Sequence, residues 1–410
     1  MFEVSKVRQD FPFLKKADVS DKPLIYLDNA ATTLKPQTVI DAVVQYYTDY
    51  SVNIHRGDYD LSFQVSDYYE KTRSLVAQFI QSETNEVVFT AGASASLNIV
   101  AHGYGEKYLK EGDVILSTES EHASSILPWF RVADKTKAQV EYVPLTDVGE
   151  LTIENFRKSM HDKVKVVVVA HISNVLGYVI PLKEITEIAH QYGAVIVVDG
   201  AQSVPHIPTS VKEWDIDFLA FSAHKMYGPT GVGVLYGKYA LLNSMDPYYL
   251  GGGSNARFDR CGNITLKNAP YKFEVGTPAI EAVLGLGAAI RYIQSIGFEA
   301  IEQAEHALHD YLVQELKPFA HIKLYNPSAT SGIVTINAIG IPSQDAALYL
   351  NSKGIMVRAG NHCAKILLDV LKTSETIRIS LSFYNTKEEC DAIVSALNDI
   401  TLEKCIDLIF

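Results

Sequence analysis

Cysteine, positive charge and long apolar runs are all scarce in this 410-residue sequence. Its four cysteines have no Cys-x-x-Cys spacing and are too few for a disulfide scaffold, so we expect a reducing, cytoplasmic environment. Lys and Arg total 36 against 48 for Asp and Glu, and the net charge of −12 argues against nucleic acid or an anionic membrane as the main partner. No stretch approaches the ~18 consecutive apolar residues of a membrane span. What remains is an ordinary globular protein.

The length and the apolar content, 47% of residues, predict more than one core. Because single cores stop growing well below this length, we predict a large domain over residues 25–290 and a small one formed by 1–24 and 291–410. Strand-like runs alternate with helical patterns in the large domain, which is typical of an α/β fold with a mainly parallel seven-stranded sheet flanked by helices. The runs lie at 87–90, 114–117, 140–143, 164–170, 195–198, 218–221 and 232–236. Shorter elements follow, which predicts a smaller α+β domain.

Polar side chains follow two of these apolar runs. The run 195–198 is followed by Asp199, and the run 218–221 is followed by Ser222, His224 and Lys225. If the runs are neighbouring parallel strands, these side chains emerge together at the carboxyl edge of the sheet, where open α/β sheets bind ligands. An amine, a carboxylate and phosphate donors in one place suit pyridoxal 5'-phosphate. We therefore predict a site for this cofactor, with no metal.

Each residue type predicts one role toward the cofactor. Lys225 would form the Schiff base, because only an amine makes a reversible imine with the aldehyde. Asp199 would pair with the ring nitrogen and keep it protonated, each pKa unit being worth about 1.4 kcal/mol. Gln202 would bind the phenolic oxygen, while Ser222 and His224 would hold the phosphate. A single Asp after a strand is usually a cap and a single Lys is usually solvated, so the prediction depends on the joint pattern.

Two further segments are candidates for the same site. The run 87–90 leads through Gly92 into a helix start at Ala93 and Ser94, and the exposed N–H groups and dipole of such a start favour phosphate. Glycine-rich starts are common, so this signal is weak by itself. His122 follows the next strand and could stack on the cofactor ring and move protons. Without the other residues, the better interpretation of His122 would be a cap for its loop.

A polar loop near the end of the chain carries a candidate nucleophile. Cys363 follows Gly360 and His362, with Arg358 five residues before it. Such a loop is the kind of place where a reactive thiol lies. Free cysteines are more often small buried hydrophobic residues, which is the default expectation for the other three. These are Cys261, Cys390 and Cys405.

With these motifs, the chain resembles the class V aminotransferase family of fold-type I pyridoxal phosphate enzymes, and within it the SUF-type cysteine desulfurases. The resemblance rests on residues 26–31, 53–57, 171–177, 199–202, 222–231, 273–278 and 358–363. It implies conversion of L-cysteine to L-alanine with a persulfide on Cys363, which supplies sulfur for iron–sulfur cluster assembly. Lys225 and His122 would be catalytic beside that thiol.

The same resemblance implies a substrate site and partners. Asn174 and Arg378 would bind the substrate carboxylate, with Arg358 close to the reacting cysteine and His55 also on the substrate side. Thr277 would reach the phosphate bound in the other subunit, so a homodimer is expected. The sulfur acceptor would be a protein of the SufE or SufU type.

Three positions depart from the family's pattern, and two other activities stay open. Ala95 lacks a carboxylate that relatives carry, and Ile366 changes the rim of the reactive loop. Gln344 stands where some relatives carry a histidine that engages the zinc of their sulfur acceptor, which leaves the acceptor open. L-selenocysteine is an alternative substrate. A selenocysteine lyase or cysteine sulfinate desulfinase would need the cofactor site but not necessarily Cys363. A catalytically inactive interaction protein with this fold is a third possibility, disfavoured by the intact cofactor residues.

Overall fold

The computed structural model describes residues 3–17 and 24–408. Its strands are β1 Ile25–Tyr26, β2 Val87–Thr90, β3 Val114–Thr118, β4 Gln139–Val143, β5 Val164–Ala170, β6 Val195–Asp199, β7 Phe218–Ser222, β8 Gly233–Gly237, β9 Asn255–Phe258, β10 Ile264–Leu266, β11 Ile322–Leu324, β12 Ile333–Ala338, β13 Ile355–Met356, β14 Arg358–Gly360 and β15 Thr376–Ser380. Its helices are α1 Val4–Arg8, α2 Pro12–Ala17, α3 Gln37–Gln45, α4 Asp60–Ile80, α5 Ala93–Val100, α6 Glu106–Tyr108, α7 Ala123–Thr136, α8 Ile153–Ser159, α9 Leu182–Gln191, α10 Tyr239–Ser244, α11 Ile280–Ile296, α12 Phe298–Leu316, α13 Ser343–Ser352, α14 Lys365–Val370, α15 Lys387–Asp399 and α16 Leu402–Ile406.

A seven-stranded sheet forms the centre of the molecule, in the order β2-β8-β7-β6-β5-β3-β4. The pairs from β7 to β4 are all parallel, whereas β8 runs antiparallel to both of its neighbours. Valine-rich strands such as β5 and β6 are buried because helices cover both faces of the sheet. The predicted α/β class and the mainly parallel seven-stranded sheet are confirmed.

A smaller four-stranded sheet, β11-β12-β15-β14, lies in the second half of the chain and is antiparallel throughout. It has its own apolar core with α13 and α15, which includes Val334, Ile377 and Leu397. The division into domains at residue 290 stays a prediction. That position falls inside α11, whose apolar face up to Ile293 packs on the core of the large sheet.

The N-terminal segment joins both parts of the molecule. Arg8 donates to the backbone carbonyl of Tyr384 and to the carboxylate of Glu389, each at 2.9 Å. The ring of Phe11 contacts Tyr227, which lies between β7 and β8, as well as Tyr384. Residues 1, 2 and 18–23, which the predicted small domain includes, lie outside the described residues, as do 409 and 410. None of the helices in the described ranges has the length and apolarity to span a membrane.

Candidate active site

The polar residues predicted from strands β6 and β7 do meet at the carboxyl edge of the sheet. Asp199 is the last residue of β6 and lies in register with Ala220 of β7, two residues before Ser222. One 3₁₀ turn, Ala223–Lys225, then carries Lys225 to the same edge. A cavity of about 250 Å³ opens there. The candidate residues that line it are Ala93, Ser94, His122, Asn174, Asp199, Gln202, Ser222, His224, Lys225, Arg358, Cys363 and Arg378.

Two candidate residues lie outside this cavity. His55 forms an ion pair with Glu70 at 3.1 Å between ring Nε2 and the carboxylate. Thr277 accepts a hydrogen bond from the side chain of Asn53, 3.3 Å away. Both belong to a region around a second, smaller cavity of about 80 Å³ that is lined by His55 and the neighbours of Thr277. Within one subunit they therefore do not meet the Lys225 site.

Lys225 is electrostatically suited to act as an amine. Desolvation of its ammonium group lowers the pKa to about 8, and Arg378 and Arg358 act in the same direction. The negative charge of Asp199 opposes this shift but does not cancel it. A lysine with such a pKa spends a useful fraction of its time unprotonated near neutral pH, as nucleophilic and basic lysines must.

Asp199 is a buried carboxylate with both oxygens occupied. Its Oδ1 accepts from the backbone N–H of Ala201 at 2.9 Å, and its Oδ2 accepts from the hydroxyl of Ser125 at 2.8 Å. Such donors stabilise the charged form of a carboxylate. Ser125 was not foreseen from the sequence, although it sits in a serine-rich helix start directly after His122. The nearby Gln202 donates its amide to the carbonyl of Ala30 at 2.7 Å.

The start of α5 forms a phosphate-sized recess beside these residues. Gly92 precedes the helix with φ of +153°, and the N–H of Ala93 donates to Ser222 Oγ at 2.8 Å. The hydroxyl of Ser94 lies 2.7 Å from that of Ser124. Desolvation lowers the pKa of His224 to about 4, so its neutral ring can still donate one N–H. Hydroxyls, an imidazole and a helix N-terminus are the donors that a phosphate needs.

His122 both caps a helix and lines the cavity. Its Nδ1 accepts from the backbone N–H of Ser124 at 3.0 Å, which makes it the N-cap of α7. Burial lowers the pKa of the ring, so we infer a neutral imidazole with its proton on Nε2. His122 can therefore be both a cap and a group that moves protons, because the capping hydrogen bond determines which nitrogen can give a proton.

The loop before α14 holds Cys363 in an uncommon backbone conformation. His362 and Cys363 have φ of +51° and +57°, a left-handed region that costs roughly 1–2 kcal/mol per residue. The conformation is held by Asn174, which donates to the carbonyl of His362 at 2.9 Å, and by the N–H of Ala123, which donates to the carbonyl of Cys363 at 2.7 Å. The thiol itself is exposed at the cavity.

The other three cysteines divide differently from the expectation. Cys390 and Cys405 are buried, as predicted, and desolvation raises the pKa of both thiols. The expectation for Cys261 was wrong. Its thiol is exposed in the turn between β9 and β10, where its backbone N–H donates to the carboxylate of Asp259. None of residues 255–266 belongs to an apolar core, so this cysteine has nothing to be buried against.

Two arginines that line the cavity provide positive charge. Arg378 is buried and donates to the carbonyl of Asn174 at 2.9 Å and to Asp28 at 3.0 Å, while its Nε has no hydrogen-bond partner among the described residues. Arg358 lies 3.8 Å from the other oxygen of Asp28. Two cations share one carboxylate, which leaves capacity for a second anion such as the carboxylate of an amino acid. Asp28 was missed because it is 350 positions away from Arg378 in the chain.

Lys35 is another residue that sequence reasoning missed. Its ammonium donates to the carbonyl of His224 at 2.9 Å, next to Lys225 in the chain, and also to the hydroxyl of Thr32. Desolvation lowers its pKa to about 8. A lysine two residues after a threonine pair carries no recognisable signal by itself.

Comparison with known proteins places the chain in a family. The description "Aminotransferase class-V" matches residues 25–393. A "Probable cysteine desulfurase" from Halalkalibacterium halodurans is 44% identical over 393 residues, which cover 96% of each chain. Among solved structures, the cysteine desulfurase CsdA from Escherichia coli has a TM-score of 0.90 at 34% identity and covers 100% of this chain and 99% of its own. An apo cysteine desulfurase from Thermococcus onnurineus has a TM-score of 0.92 at 38% identity, with 97% and 98% covered. This protein therefore belongs to the aminotransferase class-V family.

Proposed function

We propose that this protein is a pyridoxal phosphate-dependent cysteine desulfurase. The observation that carries the proposal is the position of Cys363, whose exposed thiol lies at the same cavity as Lys225 and Asp199. A cofactor site alone would serve many reactions of amino acids. A cysteine held at its rim in a left-handed conformation adds a nucleophile that can take an atom from the substrate. The names of the similar proteins point to the same activity.

The residues present fit the cofactor in number and kind. Lys225 would hold its aldehyde carbon, Asp199 its ring nitrogen and Gln202 its phenolic oxygen. The phosphate would take the hydroxyl of Ser222 and the N-terminus of α5, with the side chains of Ser94 and His224 beside it. When bound, the cofactor supplies an electron sink for the carbanion at the substrate's Cα.

The protein's own groups then bind the substrate and move protons. Arg378 and Arg358 would take the carboxylate of L-cysteine, because Asp28 neutralises only one of their two charges. Lys225, with its pKa of about 8, would accept the proton from Cα. His122 would give the proton on Nε2, since its Nδ1 is engaged by the helix N-terminus.

Sulfur transfer requires the thiolate of Cys363. Its attack on the substrate sulfur forms an S–S bond and breaks the Cβ–S bond, whose electrons remain with the carbon fragment. Protonation of that fragment gives L-alanine, and the persulfide stays on Cys363. The backbone contacts of His362 and Cys363 hold the nucleophile in place, and positioning of this kind supplies more rate than a change of thiol acidity can.

We also propose a homodimer in the cytoplasm that completes each site with Thr277 of the other subunit. Large apolar side chains are exposed on the segment before β9 and on the β9–β10 hairpin, among them Tyr249, Phe258 and Ile264. Apolar surface of this extent supports a protein interface. A sulfur acceptor of the SufE or SufU type, and delivery to iron–sulfur cluster assembly, complete the proposal.

The decisive experiment is Cys363→Ser with L-cysteine as substrate. Serine keeps the size of the side chain but is a very weak nucleophile without a base, so alanine and sulfide formation should be lost while the cofactor absorbance stays unchanged. Cys261→Ser is the matched control, because that thiol is also exposed but lies in the β9–β10 turn. Undiminished alanine formation by Cys363→Ser would contradict the proposal and favour a selenocysteine or sulfinate lyase.

A further inference from the structure

A buried carboxyl group next to His122 has no part in the reaction proposed above. Glu121 lies between the end of β3 and the start of α7 and is 4% exposed. No lysine, arginine or histidine in the described ranges forms an ion pair with it. Buried carboxylates without a cation are costly, so its protonation and its purpose need an explanation.

One oxygen of Glu121 extends the sheet beyond the end of β3. Oε1 accepts from the hydroxyl of Thr118 at 2.7 Å and from the backbone N–H of Ala170 at 3.0 Å. Ala170 ends β5 and lies in register with Asp199 of β6. The carboxyl oxygen thus takes the place of a backbone carbonyl beyond the end of β3. It also fixes the loop that carries His122 to β5, the strand next to the one that carries Asp199.

The other oxygen receives no hydrogen bond from the described residues that would stabilise a negative charge. Oε2 is buried and has no hydrogen-bond partner among the described residues. Both oxygens of Asp199, the charged group that faces Glu121 from the neighbouring strands, have donors. Desolvation and the charge of Asp199 raise the pKa of Glu121 to about 8. The cavity cations Lys225 and Arg378 form neither a hydrogen bond nor an ion pair with it.

We propose that Glu121 is a positioning residue, held as a neutral carboxylic acid, that fixes the His122 loop to β5 and leaves Asp199 as the single anion at these strand ends that would pair with the cofactor's ring nitrogen. A second carboxylate at these strand ends would compete for the cofactor's ring proton and repel Asp199. The proposal deepens the proposed function and rests on it for the role of His122. The protonation state itself can be tested in cofactor-free protein.

The first test is infrared spectroscopy of the cofactor-free protein as a function of pH. The carbonyl band of a protonated carboxylic acid should be present at neutral pH and should disappear as the pH rises through about 8. The band should be missing in Glu121→Gln and retained in Glu302→Gln, the matched control, because Glu302 is a helical carboxyl whose pKa burial and Glu305 also raise. Absence of the band in the wild-type protein at neutral pH would overturn the proposal, and this measurement needs no variant.

The second test separates positioning from general stability. Glutamine keeps the oxygen that accepts from Thr118 and Ala170, so Glu121→Gln should keep the wild-type cofactor absorbance and affinity at neutral pH. Glu121→Leu removes that acceptor and should weaken cofactor binding and alter the absorbance. Above pH 8 the wild-type absorbance should change more than that of Glu121→Gln, in which Lys225 still titrates but residue 121 does not. If Glu121→Gln already resembles Glu121→Leu at neutral pH, the group is ionised and the proposal fails, whatever activity the enzyme has.

Discussion

Ser125 gives the sharpest test of how the site holds its anion. Its buried hydroxyl donates to Asp199 Oδ2 at 2.8 Å, and Ala201 supplies the only other donor that the structure shows for this carboxylate. Ser125→Ala leaves one carboxylate oxygen buried without a donor. The variant should still fold, because the substitution only replaces a hydroxymethyl group by a smaller methyl group.

The size of the effect follows from the type of hydrogen bond. A hydrogen bond to a charged group contributes roughly 1.5–3 kcal/mol. If Asp199 transmits this loss to the ring nitrogen that it would hold, cofactor affinity should fall about ten- to one-hundred-fold, since each 1.4 kcal/mol is a factor of ten. A neutral hydrogen bond elsewhere in the same sheet is worth only about 1 kcal/mol of stability and nothing in cofactor affinity.

The assay is a titration of the cofactor-free protein with pyridoxal phosphate, followed by absorbance. Ser117→Ala is the matched control, because Ser117 is equally buried on β3 and donates to the neutral carbonyl of Val168 at 3.2 Å. We expect Ser125→Ala to bind the cofactor much more weakly than Ser117→Ala. Equal affinities in the two variants would refute the role given to Ser125 and, with it, the electrostatic role of Asp199.

Three other predictions concern stability, pH and assembly. Arg73→Met breaks the buried bidentate ion pair between Arg73 and Glu274, whose contacts are 2.6 and 2.9 Å. The substitution should lower the free energy of unfolding in urea by about 3–5 kcal/mol. The exposed control Lys71→Met should be nearly neutral. The pKa of Lys35 is about 8 in the folded protein, below its unfolded value of 10.5, so its positive charge penalises folding below pH 8. The wild type should therefore gain stability relative to Lys35→Met as the pH rises above 8. A constant difference in stability would contradict this prediction. Mixed Lys225→Ala and Thr277→Ala subunits should regain part of the activity, and an active monomer in light scattering would exclude the shared site.

Much of the site could be predicted because strand ends obey a simple geometric rule. Asp199 and Lys225 follow adjacent apolar runs, and parallel strands bring their carboxyl ends to one edge. The sheet was predictable for the same reason, since each of its strands reads as a short apolar run. The burial of Cys390 and Cys405 was predicted correctly but that of Cys261 was not, because burial depends on neighbours that the local sequence does not reveal.

Local sequence therefore indicated the α/β class and the candidate residues at the strand ends and in the Cys363 loop, since each depends on patterns within a few residues. Tertiary structure alone decided which groups control their charge. Asp28 meets Arg378 across 350 positions, and Ser125 meets Asp199 across 74. It also decided that His122 offers Nε2 rather than Nδ1, and that Glu121 forms no ion pair with any described lysine, arginine or histidine. Desolvation and hydrogen-bond partners come from packing between distant segments, which is why the protonation states of this site appear only in the folded chain.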